Sequence, residues 1–162
     1  MFDPFCAFLE ATNTADLLRG SLWVYPAINA GHIIGIALLF GGILPVDLRL
    51  LGVWSKVPLL PLLQVLMKTA ALGVLLALVC GSLLFITRAC SYIRSDVFMV
   101  KMIVVAAGLL NGLILRIVLS PSKPPQWVIA SKVPPAVRLA AGFSLGAWIT
   151  ALVLGRLVGY VH

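Results

Sequence analysis

The clearest shortage in this 162-residue sequence is charge, because Asp, Glu, Lys and Arg together make up only 10% of it. Soluble domains carry roughly 25% charged residues. Hydrophobic residues make up 62% of the chain, and its mean hydropathy is +1.13. So few polar side chains cannot cover the surface of a core this large. The composition therefore excludes a single water-soluble domain and predicts an integral membrane protein.

Acidic residues, cysteines and catalytic motifs are also scarce. Twelve Lys and Arg against five Asp and Glu give a net charge of +7, which in a membrane protein indicates cytoplasmic loops facing anionic lipid. No basic run interleaved with aromatics is present to indicate a nucleic-acid groove. Three cysteines are too few and too scattered for a disulfide framework or a zinc site. No phosphate-binding loop, zinc-protease helix or CxxC pair occurs, so we expect a protein that is not an enzyme.

Four apolar blocks are each long enough to cross a bilayer. Crossing about 30 Å of hydrocarbon takes about 20 helical residues at about 1.5 Å each. The blocks cover residues 22–44, 62–86, 97–119 and 137–157. We therefore predict an all-α integral membrane protein, a four-helix transmembrane bundle that forms one membrane domain over residues 1–162. Pro45 is expected to close the first block, and Pro58 and Pro61 to open the second.

The remaining segments predict surface structure and close packing. Residues 3–21 combine apolar and polar side chains in the pattern of a short N-terminal amphipathic helix that lies on the membrane. The alternative is a frayed tail. Residues 120–136 contain five prolines and predict a loop with an interfacial turn around Trp127. Small residues four apart recur in all four spans, as at Gly31 and Gly35. They predict close helix packing, or docking faces for a cofactor or another subunit.

Basic residues near the span ends predict the orientation. With four spans both termini share one side, and seven of the twelve basic residues lie on or near the links of the opposite side. We therefore expect a multi-pass protein of the bacterial inner membrane with both termini periplasmic. Under this topology Cys6 and Cys90 share the outer side and could pair, although their spacing gives no evidence of it.

His32 is the histidine that lies inside a span, and it is the first candidate for a functional site. It lies ten residues past Leu22, roughly 15 Å along the helix, so we expect it near the membrane middle, where polar groups are expensive and indicate function. Asn29 lies three residues earlier on the same helical face. Neutral imidazole is a good ligand for haem iron, which makes His32 the candidate metal ligand. The alternative is a structural histidine satisfied by a backbone carbonyl or by Asn111.

Other polar residues have weaker functional signals. Lys101, about one turn from the outer interface, is a candidate partner for an anionic group such as a haem propionate or a lipid phosphate, and the alternative is a lysine that snorkels to the headgroups. Asn111 lies mid-span and is expected to face the bundle. Asp47 is expected at the inner end of the first helix, with Lys68 as a partner. Acidic residues are missing from the predicted span cores, which weakens a proton-coupled transporter interpretation.

The sequence resembles a known family in its first three spans. The residues that carry the resemblance are LWVYPAI at 22–28, His32, the stretch 35–42 that starts and ends with glycine, and DLRLLG at 47–52. Together they resemble an uncharacterised (DUF-type) family of small bacterial inner-membrane proteins with four helices, over roughly residues 10–119 including Lys101 and Asn111. That family often has an acid where this chain has Asn29. A more distant likeness of fold is to the membrane domains of copper-resistance D-type proteins and to cytochrome-b-like bundles. The resemblance implies the architecture and no particular activity.

We therefore expect a small non-catalytic membrane subunit. Its cofactor would be haem b or a quinone, held within a larger electron-transfer or photosynthetic assembly by a site that comprises His32, Asn29, Lys101 and Asn111. Its partners would be the lipid bilayer and either other membrane subunits or further copies of the chain, and not nucleic acid. Two alternatives remain: a structural or assembly subunit without cofactor, and an oligomeric permease for a small solute or metal ion.

Overall fold

The computed structural model describes residues 3–119, 125–129 and 132–160, and within these ranges every regular element is a helix. In chain order the helices are α1 (Asp3–Glu10), α2 (Asn13–Gly20), α3 (Val24–Leu51), α4 (Leu59–Thr87), α5 (Ala89–Arg94), α6 (Asp96–Val118), α7 (Gln126–Ile129) and α8 (Pro135–Leu157). Helices α3, α4, α6 and α8 are long and apolar enough to cross a membrane. This confirms the prediction of an all-α, multi-pass membrane protein with four spanning helices.

The first spanning helix is longer than the sequence predicts. Pro45 does not close it but lies inside α3, which continues to Leu51. A proline removes one backbone hydrogen bond, and membrane helices tolerate this where neighbouring elements satisfy the freed groups. The extension places Asp47 and Arg49 in the last two turns of α3, so Asp47 lies near the end of the first spanning helix, as predicted. The other three spans begin and end within three residues of the predicted positions.

The N-terminal segment forms two short helices rather than the single amphipathic helix predicted over residues 3–21. Thr12 caps α2, because its side-chain oxygen accepts a hydrogen bond from the Ala15 nitrogen at 3.3 Å. The same hydroxyl donates to the Leu9 carbonyl at 2.8 Å, which ends α1. Phe5 and Phe8 of α1 are exposed, in accord with a segment that lies on the membrane surface.

A disulfide between Cys6 and Cys90 fastens α1 to α5, with the two Cα atoms 5.0 Å apart. Beside it, Glu10 Oε1 accepts a hydrogen bond from the Cys90 nitrogen at 2.8 Å. Arg19 of α2 donates to the Thr87 carbonyl at 3.2 Å. These contacts hold α1, α2 and α5 together at one end of the bundle, which we name the terminal end.

The opposite end, which we name the loop end, contains the α3–α4 connection (residues 52–58) and α7. Arg49 is buried there and donates from Nε to the Val57 carbonyl at 2.7 Å and from Nη2 to the Ser55 carbonyl at 2.8 Å. Gly52 permits the turn after α3 because its φ is +106°, a left-handed value that favours glycine. The buried guanidinium thus holds the connection against the helix it leaves.

The four spanning helices form an open row rather than a closed ring. Helix α3 packs between α4 and α8, and α6 packs on α8. The backbones of α4 and α6, at the two ends of the row, do not pack closely, although Phe85 of α4 stacks with Phe98 of α6 at a centroid distance of 5.8 Å. The row curves so that residues of all four helices line the same cavities. Side chains, rather than close backbone contacts, therefore bridge α4 and α6.

The tightest helix pair, α3 and α4, packs through glycine. A Cβ on Gly42 would lie 2.8 Å from the Ala70 nitrogen, and a Cβ on Gly31 would lie 2.9 Å from Cys80 Sγ. The predicted small-residue packing is thereby confirmed in these two helices. This close packing does not extend to every pair of small residues four apart, because within the described residues a Cβ on Gly112 or Gly146 would meet nothing within 4 Å.

Candidate functional site

A cavity of about 520 Å³ occupies the terminal half of the bundle, and we name it the terminal-side cavity. Its volume falls in the range of about 300–1,000 Å³ that is common for ligand pockets. Most of its lining is apolar, and the exceptions are His32 of α3, Ser82 of α4, Lys101 of α6 and Trp148 of α8. Leu9 of α1 also lines it. Two of the predicted site residues, His32 and Lys101, therefore share one cavity.

The hydrogen bonding of His32 determines its tautomer. Its Nδ1 lies 2.9 Å from the carbonyl oxygen of Ala77 on α4. A carbonyl oxygen only accepts, so Nδ1 carries the hydrogen and Nε2 carries a lone pair. No described group hydrogen-bonds to Nε2. His32 is thus half satisfied by a backbone carbonyl, and its second nitrogen is a free base.

The imidazole of His32 lies directly against a glycine. A Cβ on Gly81 would lie 2.9 Å from Cε1 and 3.2 Å from Nδ1 of the ring, so the absence of a side chain at Gly81 makes room for the ring. His32 lies in the first half of α3. Helix α3 has 28 residues, about 42 Å, and its midpoint lies close to Leu38. His32 is about 12 Å from the start of the helix. The extension of α3 beyond Pro45 moves the midpoint of the helix away from His32.

Lys101 lies in the same half of the bundle as His32. Its Nζ and Cε would each lie 3.5 Å from a Cβ on Gly155, so the side chain extends along the α6–α8 contact. Among the described residues no acceptor lies within hydrogen-bonding distance of Nζ. The ammonium group is therefore unpaired in a cavity whose other walls are mostly apolar.

The two asparagines in the predicted site lie outside the terminal-side cavity. Asn29 is exposed on the surface of α3 and does not line it. Residues three apart differ by about 60° around a helix, and the contact of α3 with α4 covers His32 but not Asn29. Asn111 donates from Nδ2 to the Ala140 carbonyl at 3.2 Å and joins α6 to α8. This confirms that Asn111 faces the bundle, and gives it a packing contact rather than a place beside His32.

A second cavity, of about 300 Å³, lies nearer the loop end, and we name it the loop-side cavity. Its polar lining residues are Asp47, Arg116, Ser144 and Trp148. Asp47 is 2% exposed, and Ser144 of α8 lies beside its carboxyl group. The carboxyl oxygen Oδ2 has no hydrogen-bond partner in the described part of the chain. The expected partner Lys68 is exposed and does not line the cavity, so that pairing is wrong.

Trp148 links the two cavities, since it lines both. It is 7% exposed, and its indole Nε1 has no hydrogen-bond partner among the described residues. Sequence reasoning missed Trp148, Ser144 and the burial of Asp47. For Asp47 a signal existed, because leucines at 48, 50 and 51 continue the apolar pattern past Pro45.

The described residues contain no group of three or more His, Cys, Asp or Glu side chains that would hold a bare metal ion. A metal bound at His32 would therefore need most of its ligands from elsewhere, as a porphyrin supplies them. Comparison of the chain with protein-family models, with curated proteins and with solved structures finds no match. The proposed function therefore rests on the geometry of the two cavities.

Proposed function

We propose that the protein is a small non-catalytic membrane subunit that holds haem b or a quinone in the terminal-side cavity through His32. One observation carries this proposal: the Nδ1–H of His32 is committed to the Ala77 carbonyl, which leaves Nε2 as an oriented base. A backbone hydrogen bond of this kind fixes the tautomer and ring orientation of histidines that ligate metals. The same nitrogen would accept a hydrogen bond from a quinol hydroxyl.

The route into the cavity supports a lipophilic ligand. All four spanning helices line the cavity, and on the side where α4 meets α6 the two backbones do not pack closely. Leu78 of α4 and Met102 of α6 line it and are 52% and 45% exposed. In the membrane, this opening faces lipid rather than water. A ligand with an apolar ring or tail would therefore enter from the bilayer.

Lys101 supports a ligand with an acceptor or an acid at one end. Its unpaired ammonium would donate to a haem propionate or to a quinone carbonyl, and either contact would offset the cost of a charge in an apolar cavity. The two polar groups would then orient one ligand, with Nε2 of His32 at one position and Nζ of Lys101 at another. Electron transfer would be the role of the cofactor, and the protein would supply its position.

The disulfide supports the proposed orientation in the bacterial inner membrane, with both termini periplasmic. Disulfides persist in oxidising compartments such as the periplasm and are rare in the cytosol. Cys6 and Cys90 lie at the terminal end, on the side that the distribution of basic residues also assigns to the periplasm. The two arguments are independent, because one rests on charge and the other on redox chemistry.

The test is an optical spectrum and a quinone extraction of the protein purified in mild detergent. We expect a Soret band, or about one quinone per chain, that His32→Ala lowers at least tenfold. Asn29→Ala is the matched control, since it removes an exposed polar side chain from the same helix and should leave the ligand in place. A wild-type protein that binds neither added haemin nor added quinone would overturn the proposal, as would equal binding by His32→Ala.

A second candidate, a purely structural subunit, is favoured by one face of α8. Gly142 and Gly146 lie exposed there, beside Leu139 (77% exposed) and Phe143 (53% exposed). Small residues four apart let another helix approach closely in lipid. A ligand-free protein that purifies in fixed stoichiometry with a larger membrane subunit, and loses it in Gly146→Leu, would favour this candidate over the first.

A further inference from the structure

We propose that Asp47 carries protons between the loop end of the bundle and the terminal-side cavity. This function goes beyond cofactor binding. It rests on the placement of two buried polar groups, Asp47 and Trp148, and on the way the two cavities meet. The steps of the argument are the environment of Asp47, the continuity of the cavities and the chemistry of the transfer.

The carboxyl of Asp47 lacks a counter-ion. Ser144, which packs on it from α8, is neutral, and the α4 residues that line the cavity are apolar. Arg116 of α6 lines the same cavity, but within the described part of the chain no cation lies within 4 Å of the carboxyl. Arg49, two residues along α3, is bonded to loop carbonyls instead. A proton therefore remains as the means of neutralising Asp47, because an unpaired carboxylate buried in the protein is costly.

One layer of side chains separates the two cavities. The residues that line both are Leu39, Val74, Leu109 and Trp148. The unpartnered Nε1 of Trp148 therefore belongs to a side chain between Asp47 on one side and Lys101 on the other. The loop-side cavity has room for several water molecules at about 30 Å³ each, and its four polar side chains offer them hydrogen-bond partners.

The transfer needs no oxidant, reductant or covalent intermediate. A hydronium ion at the loop end gives its proton to Asp47 Oδ2 and leaves as water. Movement of the separating layer then lets the Asp47 carboxylic acid give the same proton to water in the terminal-side cavity. One O–H bond forms and one breaks at each step, the carboxylate is restored, and the net result is one proton moved across the layer.

The experiment measures proton flux into vesicles that contain a pH-sensitive dye, with a potassium gradient and valinomycin to set the voltage. We expect wild-type protein to raise the initial rate at least tenfold above protein-free vesicles. Asp47→Asn should return the rate to that of protein-free vesicles, and Asp47→Glu should restore part of it. Asp96→Asn is the matched control, because Asp96 is an exposed carboxylate at the start of α6, and it should leave the rate unchanged.

A further pair of variants distinguishes proton transfer through Asp47 from a nonspecific proton leak. Leu109→Ala thins the separating layer and should raise the rate in the wild-type background, but not in the presence of Asp47→Asn. Asparagine retains the size of the side chain beside Ser144, and an intact Cys6–Cys90 disulfide on a non-reducing gel checks that the variant is folded. A wild-type rate equal to that of protein-free vesicles, or an unchanged rate in Asp47→Asn, would overturn the proposal. The assay needs no cofactor, so it can fail while ligand binding at His32 succeeds, and the reverse.

Discussion

A Cβ atom on Gly35 would lie 2.5 Å from the backbone nitrogen of Ala77. The backbones of α3 and α4 therefore touch at the level where His32 Nδ1 donates to the Ala77 carbonyl. The same residue of α4 thus supplies a close backbone approach and the hydrogen bond that determines the histidine tautomer. A change in the α3–α4 distance would alter both.

Gly35→Ala is expected to destabilise the protein by about 1–3 kcal/mol, the usual cost of overpacking. The added methyl group meets backbone atoms of α4, which cannot move aside as a flexible side chain does. Gly112→Ala is the control, since a Cβ there meets no described atom within 4 Å. Unfolding in mixed detergent, followed by circular dichroism, measures both. Equal losses of stability in the two variants would contradict the glycine contact.

Loss of the Cys6–Cys90 disulfide is expected to lower stability by about 4 kcal/mol, because it closes a long loop of sequence separation 84. Cys6→Ala, compared with wild type in thermal unfolding monitored by circular dichroism, gives the measurement. Reducing agent should lower the melting temperature of the wild type to that of Cys6→Ala and leave the variant unchanged. A wild type that is insensitive to reducing agent would show that the two cysteines are not joined.

Tyr92 is expected to make stability depend on pH in the alkaline range. It lies in α5, outside the spans, stacked with Phe85 and tilted against Phe98, and burial raises the pKa of its phenol above the usual 10. The unfolded chain then loses this proton at a lower pH than the folded chain does. The stability that the phenol contributes is therefore complete below about pH 10 and is lost as pH rises through the raised value.

The check on Tyr92 is the melting temperature from pH 8 to pH 11 in wild type and in Tyr92→Phe. Phenylalanine keeps the ring in the aromatic cluster and removes the titrating hydroxyl. The wild type should lose more stability than the variant above pH 10. Parallel curves for the two proteins would show that Tyr92 ionises alike in the folded and unfolded chains.

The architecture was predictable because it depends on local composition. Apolar runs of 20 or more residues identify spanning helices wherever they occur, and three of the four spans end within three residues of their predicted limits. The first span ends seven residues later than predicted, at Leu51 instead of residue 44. Proline usually ends a helix in a water-soluble protein. In this membrane bundle α3 continues past Pro45, and Asp47 is buried near its end.

The candidate site was predictable only in part. His32 is conspicuous as a histidine in an apolar run, and Lys101 as a charge near a span end, and the two line one cavity. The spacing of Asn29 and His32 predicts that they share one face of the helix. Spacing alone does not say which face contacts a neighbouring helix. Ser144 and Trp148 gave no signal, since serine and tryptophan are common in membrane helices and only their neighbours make them notable.

The sequence by itself determined that the chain crosses a bilayer with four helices, because the length and hydropathy of each run are properties of neighbouring residues. Only the tertiary structure decided which polar groups meet. His32 bonds to a carbonyl 45 positions away, and Cys6 bonds to a cysteine 84 positions away. Such contacts depend on which helices are neighbours and on how closely each glycine lets two helices approach. Those quantities arise only when separate segments pack together.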